Sequence, residues 1–288
     1  MGCPTLAIDL RGTTVLVTGA TNGIGRETAL GLGRLGADVL VHGRDRARGS
    51  AVVADLQTLG SDAVFIAADF SKLDAVRDLA AAVREEVGTL DVLVNNAGAH
   101  FRTGQVGERG IEQTFLVNHL APFVLTKELL SSIPEGGRIV TVASRVHRRA
   151  AMDFDRIRSL DMYDGFAAYA RSKLANVLFT RELARREPDI DANCLHPGFV
   201  PGSGLWRDAG LPIRAVMMVL DRLPGAITRF ATPSVAAAET PVYLAASESV
   251  AGTSGEYFVE CEPRSPSESA RDDELAGRLW EESEAMIE

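Results

Sequence analysis

The sequence predicts an α/β fold: a doubly wound parallel sheet of about seven strands with helices on both faces. Three observations lead there. Strand-like and helix-like segments alternate from residue 13 to about 260. The strand segments are continuous Val/Ile/Leu runs, not apolar–polar alternations, so both faces of each strand must be covered. A glycine-rich turn sits between the first strand and the first helix. No repeat or composition break divides the chain, so residues 1–288 read as a single domain.

In chain order, Thr14–Thr18 is the first strand, with a helix over about Ile24–Leu35. Asp38–His42 is the second, followed by a helix over about Ala47–Leu59. Ala63–Ile66 is the third, with Ala75–Val87 helical after it. Leu90–Val94 is the fourth, followed by one long helix over roughly Ile111–Leu130. Arg138–Val142, Asp191–Leu195 and Gly255–Val259 complete the strands, with Ala167–Arg186 helical between the fifth and sixth. Consecutive parallel strands joined through helices give right-handed crossovers. Two stretches break the rhythm: a charged, loop-like segment at about 145–166 and a Gly/Pro/Met-rich one at about 199–233, with an apolar patch at Ile213–Leu220. Insertions after the carboxyl ends of strands are where such sheets place substrate contacts. Residues 272–287 read as a short acidic helix with Leu275, Leu279 and Trp280 on one side.

Composition narrows the function classes. The net charge of −9 argues against nucleic acid, which demands a basic stripe. Cys3, Cys194 and Cys261 lie far apart with no CxxC, so neither a disulfide framework nor a zinc site is expected, and a reducing cytoplasm fits. No basic-then-apolar leader opens the chain and no apolar run approaches the roughly 18 residues a membrane span requires. The histidines show no metal-ligand spacing.

The chemistry begins at Thr18-Gly19-Ala20-Thr21-Asn22-Gly23-Ile24-Gly25. Gly19 permits the tight turn, Gly23 lets backbone approach a phosphate, and Gly25 lets helix and strand pack closely. The helix that follows offers free N–H groups and the positive end of its dipole to a pyrophosphate. This reading makes the fold Rossmann-type. At the end of the second strand, Gly43 takes the place of the acid that would hold a ribose 2′-hydroxyl, and Arg44 follows. A guanidinium matches a 2′-phosphate, so the cofactor is expected to be NADP(H) in preference to NAD(H).

Four further blocks follow: Asn95-Asn96-Ala97-Gly98, Asn118, Ser144, and Tyr169-Ala170-Arg171-Ser172-Lys173. With the glycine loop they resemble the short-chain dehydrogenase/reductase family over about residues 12–260. The long gap between Ser144 and Tyr169, the continuation to Asn176 and the final Leu279-Trp280-Glu281 helix resemble its retinol-dehydrogenase-like branch. The resemblance implies a ketoreductase or alcohol dehydrogenase that moves hydride between nicotinamide and a carbonyl or alcohol. It implies that Tyr169 is the general acid or base, that Ser144 orients the carbonyl, and that Lys173 binds the nicotinamide ribose and lowers the tyrosine pKa. Asn118 would hold a water in a proton relay. Asp69 and Phe70 would lie at the adenine, Asn96, Ala97 and Gly98 along the adenosine and ribose, and Pro197-Gly198 beside the nicotinamide. The Thr that often follows that Pro-Gly pair is replaced by Gly202, with Ser203 next. The family assembles as dimers or tetramers through the helices carrying Asn118 and Tyr169, unless the C-terminal helix covers that surface.

The residues support the same chemistry independently. Tyr169 and Lys173 are four apart on one helix, so their side chains share a face. A phenol with a reference pKa of about 10 needs a nearby cation to act as a base near neutrality. Tyr163 is a poor rival, because Ala167 stands where its lysine would be. The apolar 213–220 segment suggests a bulky apolar ketone or aldehyde. Two other readings stay open: hydride transfer to a C=C bond, as in the similar light-dependent protochlorophyllide reductases, and a non-catalytic dinucleotide-binding protein. The absence of a cysteine near Tyr169 weighs against the first, and the intact Ser144, Tyr169 and Lys173 set weighs against the second.

Overall fold

A computed structural model of the chain describes residues 3–4, 8–201 and 232–288. One eight-stranded sheet runs in the order β3-β2-β1-β4-β5-β6-β7-β8. Its strands are β1 (Thr14–Val17), β2 (Asp38–Gly43), β3 (Ala63–Ala67), β4 (Val92–Asn95), β5 (Arg138–Val142), β6 (Asp191–His196), β7 (Tyr257–Val259) and β8 (Glu262–Pro263). Every pair is parallel except β7 with β8.

Why the strands read as unbroken apolar runs is now visible. Leu16, Leu40, Leu93 and Ile139 point to one face, into a core shared with α3 (Leu73–Glu86) and α7 (Gly165–Arg186). Val15, Val17, Val39, Val41, Val92, Val94 and Val140 point to the other, against α1 (Gly23–Arg34) and α2 (Arg46–Thr58). Successive side chains alternate between faces, and both faces are dry, so every position is apolar. The order reverses between β1 and β4, which opens a crevice at the carboxyl ends of those two strands.

Several boundaries differ from the sequence expectation. The helix expected over 111–130 is three segments: α4 (Gln113–Phe115), a π-helical turn (Leu116–Leu120) and α5 (Ala121–Leu129). Pro122 stands at the start of α5 and has no N–H, so it cannot bond the Asn118 carbonyl four residues back as an α-helix would require. The stretch after β5 is not wholly irregular; it contains a 3₁₀ turn (Arg145–Arg149) and α6 (Asp155–Arg158). The seventh strand is shorter than expected, and β8 forms a hairpin with it through Glu260 and Cys261, both at positive φ. Two helices not anticipated, α8 (Ser234–Ala237) and α9 (Glu239–Ala246), lead into the Glu248–Val250 turn. The C-terminal helix α10 (Asp273–Ile287) packs on α7, with Trp280 stacked on Phe179 and set edge-on to Phe123. The apolar patch at 213–220, with Gly202 and Ser203, lies outside the described residues.

The cysteines require a correction. Cys3 and Cys261 form a disulfide, with 5.3 Å between Cα atoms, and Cys194 is buried and free. A separation of 258 residues gave no spacing signal. The β7–β8 turn brings Cys261 to the N-terminal segment, and Thr240 at the start of α9 lies against both sulfurs. A disulfide of this kind typically stabilises the fold by about 2–4 kcal/mol. Reduction, or Cys3→Ser, is therefore expected to lower the melting temperature by about 5 °C. An unchanged melting temperature in both cases would show that the bond contributes nothing to stability.

Candidate active site

A cleft of about 650 Å³ opens at the strand-order reversal, a size typical of small-ligand sites. One end is the glycine loop. Gly19 and Gly23 have φ of +65° and +53°, the left-handed region that glycine tolerates. Thr18 and Asn96 clamp the loop to β4. The Thr18 hydroxyl donates to the Val94 carbonyl at 3.1 Å and accepts from the Asn96 and Ala97 N–H groups at 2.9 and 3.0 Å. The Asn96 amide donates back to the Thr18 carbonyl at 2.7 Å. Asn22 caps α1 without a side-chain bond, and no acid occupies the first turn. The N–H groups of Gly23, Ile24 and Gly25 are therefore left for the cleft that these residues line.

Beside the loop, β2 ends at Gly43, where an added Cβ would fall 2.4 Å from Thr21 Cγ2. A side chain there would have to displace Thr21. Arg44 follows, with its guanidinium 3.7 Å from the Asp69 carboxylate, and both residues and Phe70 line the cleft. His42, in β2, also supports the loop. Its ring stacks on Phe70 at 4.5 Å, its Nε2 meets the Ala68 carbonyl, and its Nδ1 accepts from the Gly19 N–H at 3.3 Å. Burial pulls its pKa down to about 4, so the imidazole is neutral and braces the loop without adding charge. Only the stacking partner and the loop geometry reveal this, and neither is visible in a strand that reads Asp38-Val39-Leu40-Val41-His42.

At the other end, Ser144, Tyr169 and Lys173 converge. Ser144 follows β5 and caps the 3₁₀ turn, its hydroxyl oxygen accepting from the Val146 N–H at 3.4 Å. Tyr169 and Lys173 sit near the start of α7, which Asp164 caps through the N–H groups of Phe166 and Ala167. The phenol is 8% exposed; burial raises its pKa above the ordinary value, and the hydrogen bond to Ser144 opposes the rise. Lys173 donates to the Val142 carbonyl at 2.9 Å, and its nitrogen lies 5.8 Å from the centre of the Tyr169 ring. Burial lowers its pKa to about 8. Ser144 thus opposes the rise in the phenol's pKa, while Lys173 faces its ring.

Asn118 lies in the π-helical turn, and its side chain is fully committed. It accepts from the Ala99 N–H at 2.7 Å and donates to the Ala99 carbonyl and the Ser172 hydroxyl, both at 2.9 Å. A Cβ at Gly98 would approach Asn118 Oδ1 and Lys173 Nζ at 3.3 and 3.5 Å, so this glycine separates the two. Pro197 and Gly198 line the cleft next to Phe199 and Val200, and Gly198 has φ of +89° with Thr232 packed where a Cβ would go. His100 sets its ring edge-on to Tyr169 at 5.7 Å, and Phe101, Val146 and Phe166 form an apolar mouth. Among the described residues no helix is long and apolar enough to cross a membrane.

Comparison with known proteins agrees with this geometry. The model of the short chain dehydrogenase family matches residues 13–209. Mouse retinol dehydrogenase 14 is 39% identical over 96% of this chain and 86% of its own. A short chain dehydrogenase from Burkholderia cenocepacia J2315, solved in complex with NADP, superposes with a TM-score of 0.68 and 29% identity, covering 86% of this chain and 96% of that one. An angucycline C-6 ketoreductase with bound NADP superposes with a TM-score of 0.69 and 27% identity, covering 88% and 95%. The chain thus belongs to the short-chain dehydrogenase/reductase family, in its retinol-dehydrogenase-like branch, and is an oxidoreductase.

Proposed function

We propose that the protein is an NADP(H)-dependent ketoreductase or alcohol dehydrogenase acting on a bulky apolar carbonyl or alcohol, with Tyr169 as its general acid–base. The observation that carries this is the shape of one continuous cleft: a glycine loop and Arg44 at one end, Ser144, Tyr169 and Lys173 buried at the other. The residues fit a dinucleotide. Small residues and free N–H groups at Gly23–Gly25 suit a pyrophosphate, and Arg44 beside Gly43 suits a 2′-phosphate where an acid would repel it. Asp69 and Phe70 would border the adenine, Asn96, Ala97 and Gly98 the adenosine and ribose, and Lys173, Pro197 and Gly198 the nicotinamide side.

When bound, the cofactor's nicotinamide supplies or accepts the hydride. The protein does the rest. Ser144 holds the substrate oxygen, and its hydroxyl proton stabilises negative charge developing there. Tyr169 gives its phenolic proton to that oxygen in reduction and takes it back in oxidation. Lys173, fixed by Val142, places positive charge behind the phenol. Asn118, its side chain held by Ala99 and Ser172, serves proton resupply by holding a water in the relay. The aromatic and apolar mouth at Phe101, Val146, Phe166 and Phe199 supports a bulky apolar substrate, as do the names of the retinol and angucycline relatives.

Titration with NADPH and with NADH, followed by nicotinamide fluorescence, tests the reading. Wild-type protein should bind NADPH tightly and NADH weakly. Arg44→Ala should weaken NADPH by about 10- to 100-fold, the loss of one charge-assisted hydrogen bond, and NADH by no more than about threefold. Equal losses for the two would remove the phosphate role from Arg44, and no binding of either by wild type would leave the glycine loop unexplained.

A further inference from the structure

The turn that presents Ser144 is held from behind by a histidine. His147 is fully buried, three residues after Ser144 in the 3₁₀ turn. Its Nδ1 lies 2.7 Å from the Ser144 carbonyl oxygen. A carbonyl only accepts, so Nδ1 carries the proton. Its Nε2 then has a lone pair, and it accepts from the backbone N–H of Ser267 at 3.1 Å. Both ring nitrogens are thus used, and the tautomer is fixed by its partners. The ring also sits edge-on to Tyr257 of β7 at 5.0 Å.

Ser267 belongs to the strap that leaves β8 and leads to α10. The strap is tied down on both sides of that contact. The Arg264 N–H bonds the Tyr257 carbonyl at 2.7 Å, Arg148 donates to the Ser265 carbonyl, and Ala270 is fully buried. The Ser144 carbonyl receives a second bond from the His147 N–H at 3.2 Å, while the Ser144 hydroxyl oxygen receives the Val146 N–H. Carbonyl and hydroxyl of the same serine are therefore oriented by one turn, and His147 joins that turn to the C-terminal strap.

We infer that His147 is a positioning residue that fixes the Ser144 hydroxyl toward Tyr169 by donating to the Ser144 carbonyl, the Ser267 N–H of the C-terminal strap setting the tautomer that lets it donate. The inference rests on the proposed role of Ser144 in holding the substrate oxygen. His147 is not among the residues that line the cleft, so its effect passes through Ser144.

Two near-isosteric substitutions separate the two ring contacts. In His147→Asn the side-chain amide stands where Nδ1 stood and keeps the bond to the Ser144 carbonyl. In His147→Gln the side-chain oxygen reaches where Nε2 stood and accepts from Ser267, but the bond to Ser144 is lost. The assay uses purified full-length protein, NADPH and a panel of retinal, decanal and 4-nitrobenzaldehyde. His147→Gln should lose about 10- to 100-fold in kcat, the effect of a small misplacement at the reacting centre, with KM and the NADPH Kd within about threefold. His147→Asn should recover kcat to within about threefold of wild type. The ¹⁵N spectrum of histidine-labelled wild-type protein, with the His147→Gln variant to identify the signal, should show His147 as the neutral Nδ1–H tautomer at pH 7 without any cofactor. An Nε2–H tautomer, or equal kcat losses in the Asn and Gln variants, would overturn the inference. Full turnover by His147→Gln beside an inactive Ser144→Ala would overturn it while leaving the Ser144 reading intact. Full turnover by Ser144→Ala would remove that reading and this one together.

Discussion

Tyr169→Phe is expected to lower turnover by about 1,000-fold, within the range that a positioned general acid–base contributes. The NADPH Kd should stay within about threefold of wild type. The substitution removes one oxygen from a ring that is otherwise retained. The ring's neighbours are His100, edge-on at 5.7 Å, and the Lys173 nitrogen at 5.8 Å, and neither contact needs the hydroxyl. The backbone carbonyl of Tyr169 still accepts from Ser172 at 2.8 Å, so α7 keeps its local geometry. What is lost is the proton donor and its bond with Ser144. The pH profile supplies a second readout. Alcohol oxidation needs the phenolate, so its rate should rise with pH; carbonyl reduction needs the phenol, so its rate should fall as that proton is lost. In the Phe variant the residual rate should not follow that ionisation. Wild-type turnover by the Phe variant would move the acid–base role elsewhere in the cleft.

The sequence exposed those features that are local. Alternation of strand and helix, apolar runs covered on both faces, and the 18–25 loop all depend on near neighbours in the chain, and the structure contains each of them. Tyr169 and Lys173 were legible for the same reason: four residues on one helix make a face. Features set by distant partners were not legible. The Cys3–Cys261 bond depends on where β7 ends relative to the N-terminal segment. The brace of His42 on Gly19 depends on β2 lying next to β1. The π-helical turn at Leu116–Leu120 carries its one signal in Pro122, whose missing N–H is easily read as an ordinary second residue of a helix. The β7–β8 turn uses Glu260 and Cys261 at positive φ, where Asn-Gly would have announced a hairpin. That Gly43 stands where an acid would is legible in the sequence, but the Thr21 side chain packed against it is not.

Gly25→Ala should be the most damaging single-methyl change in the cofactor half of the cleft. A Cβ there would lie 2.3 Å from Asn96 Nδ2 and 2.4 Å from the Gly19 carbonyl oxygen. Either contact alone forces movement. The Asn96 amide cannot swing away freely, because it bonds the Thr18 carbonyl at 2.7 Å and holds the loop against β4. The Gly19 carbonyl is backbone, so relief there means shifting the turn itself. Overpacking of this kind costs about 1–3 kcal/mol, and the displaced turn also misaims the N–H groups of Gly23, Ile24 and Gly25. Dinucleotide affinity should therefore fall by about 100-fold or more, well beyond the loss of stability alone. Gly277→Ala is the control. Gly277 lies within α10 and a Cβ there meets nothing within 4 Å, so the change should stabilise the helix by about 0.5–1 kcal/mol and leave NADPH binding untouched. Unaltered NADPH affinity in Gly25→Ala, measured by the same fluorescence titration, would mean that the turn yields without cost and that the phosphates are held by some other part of the cleft.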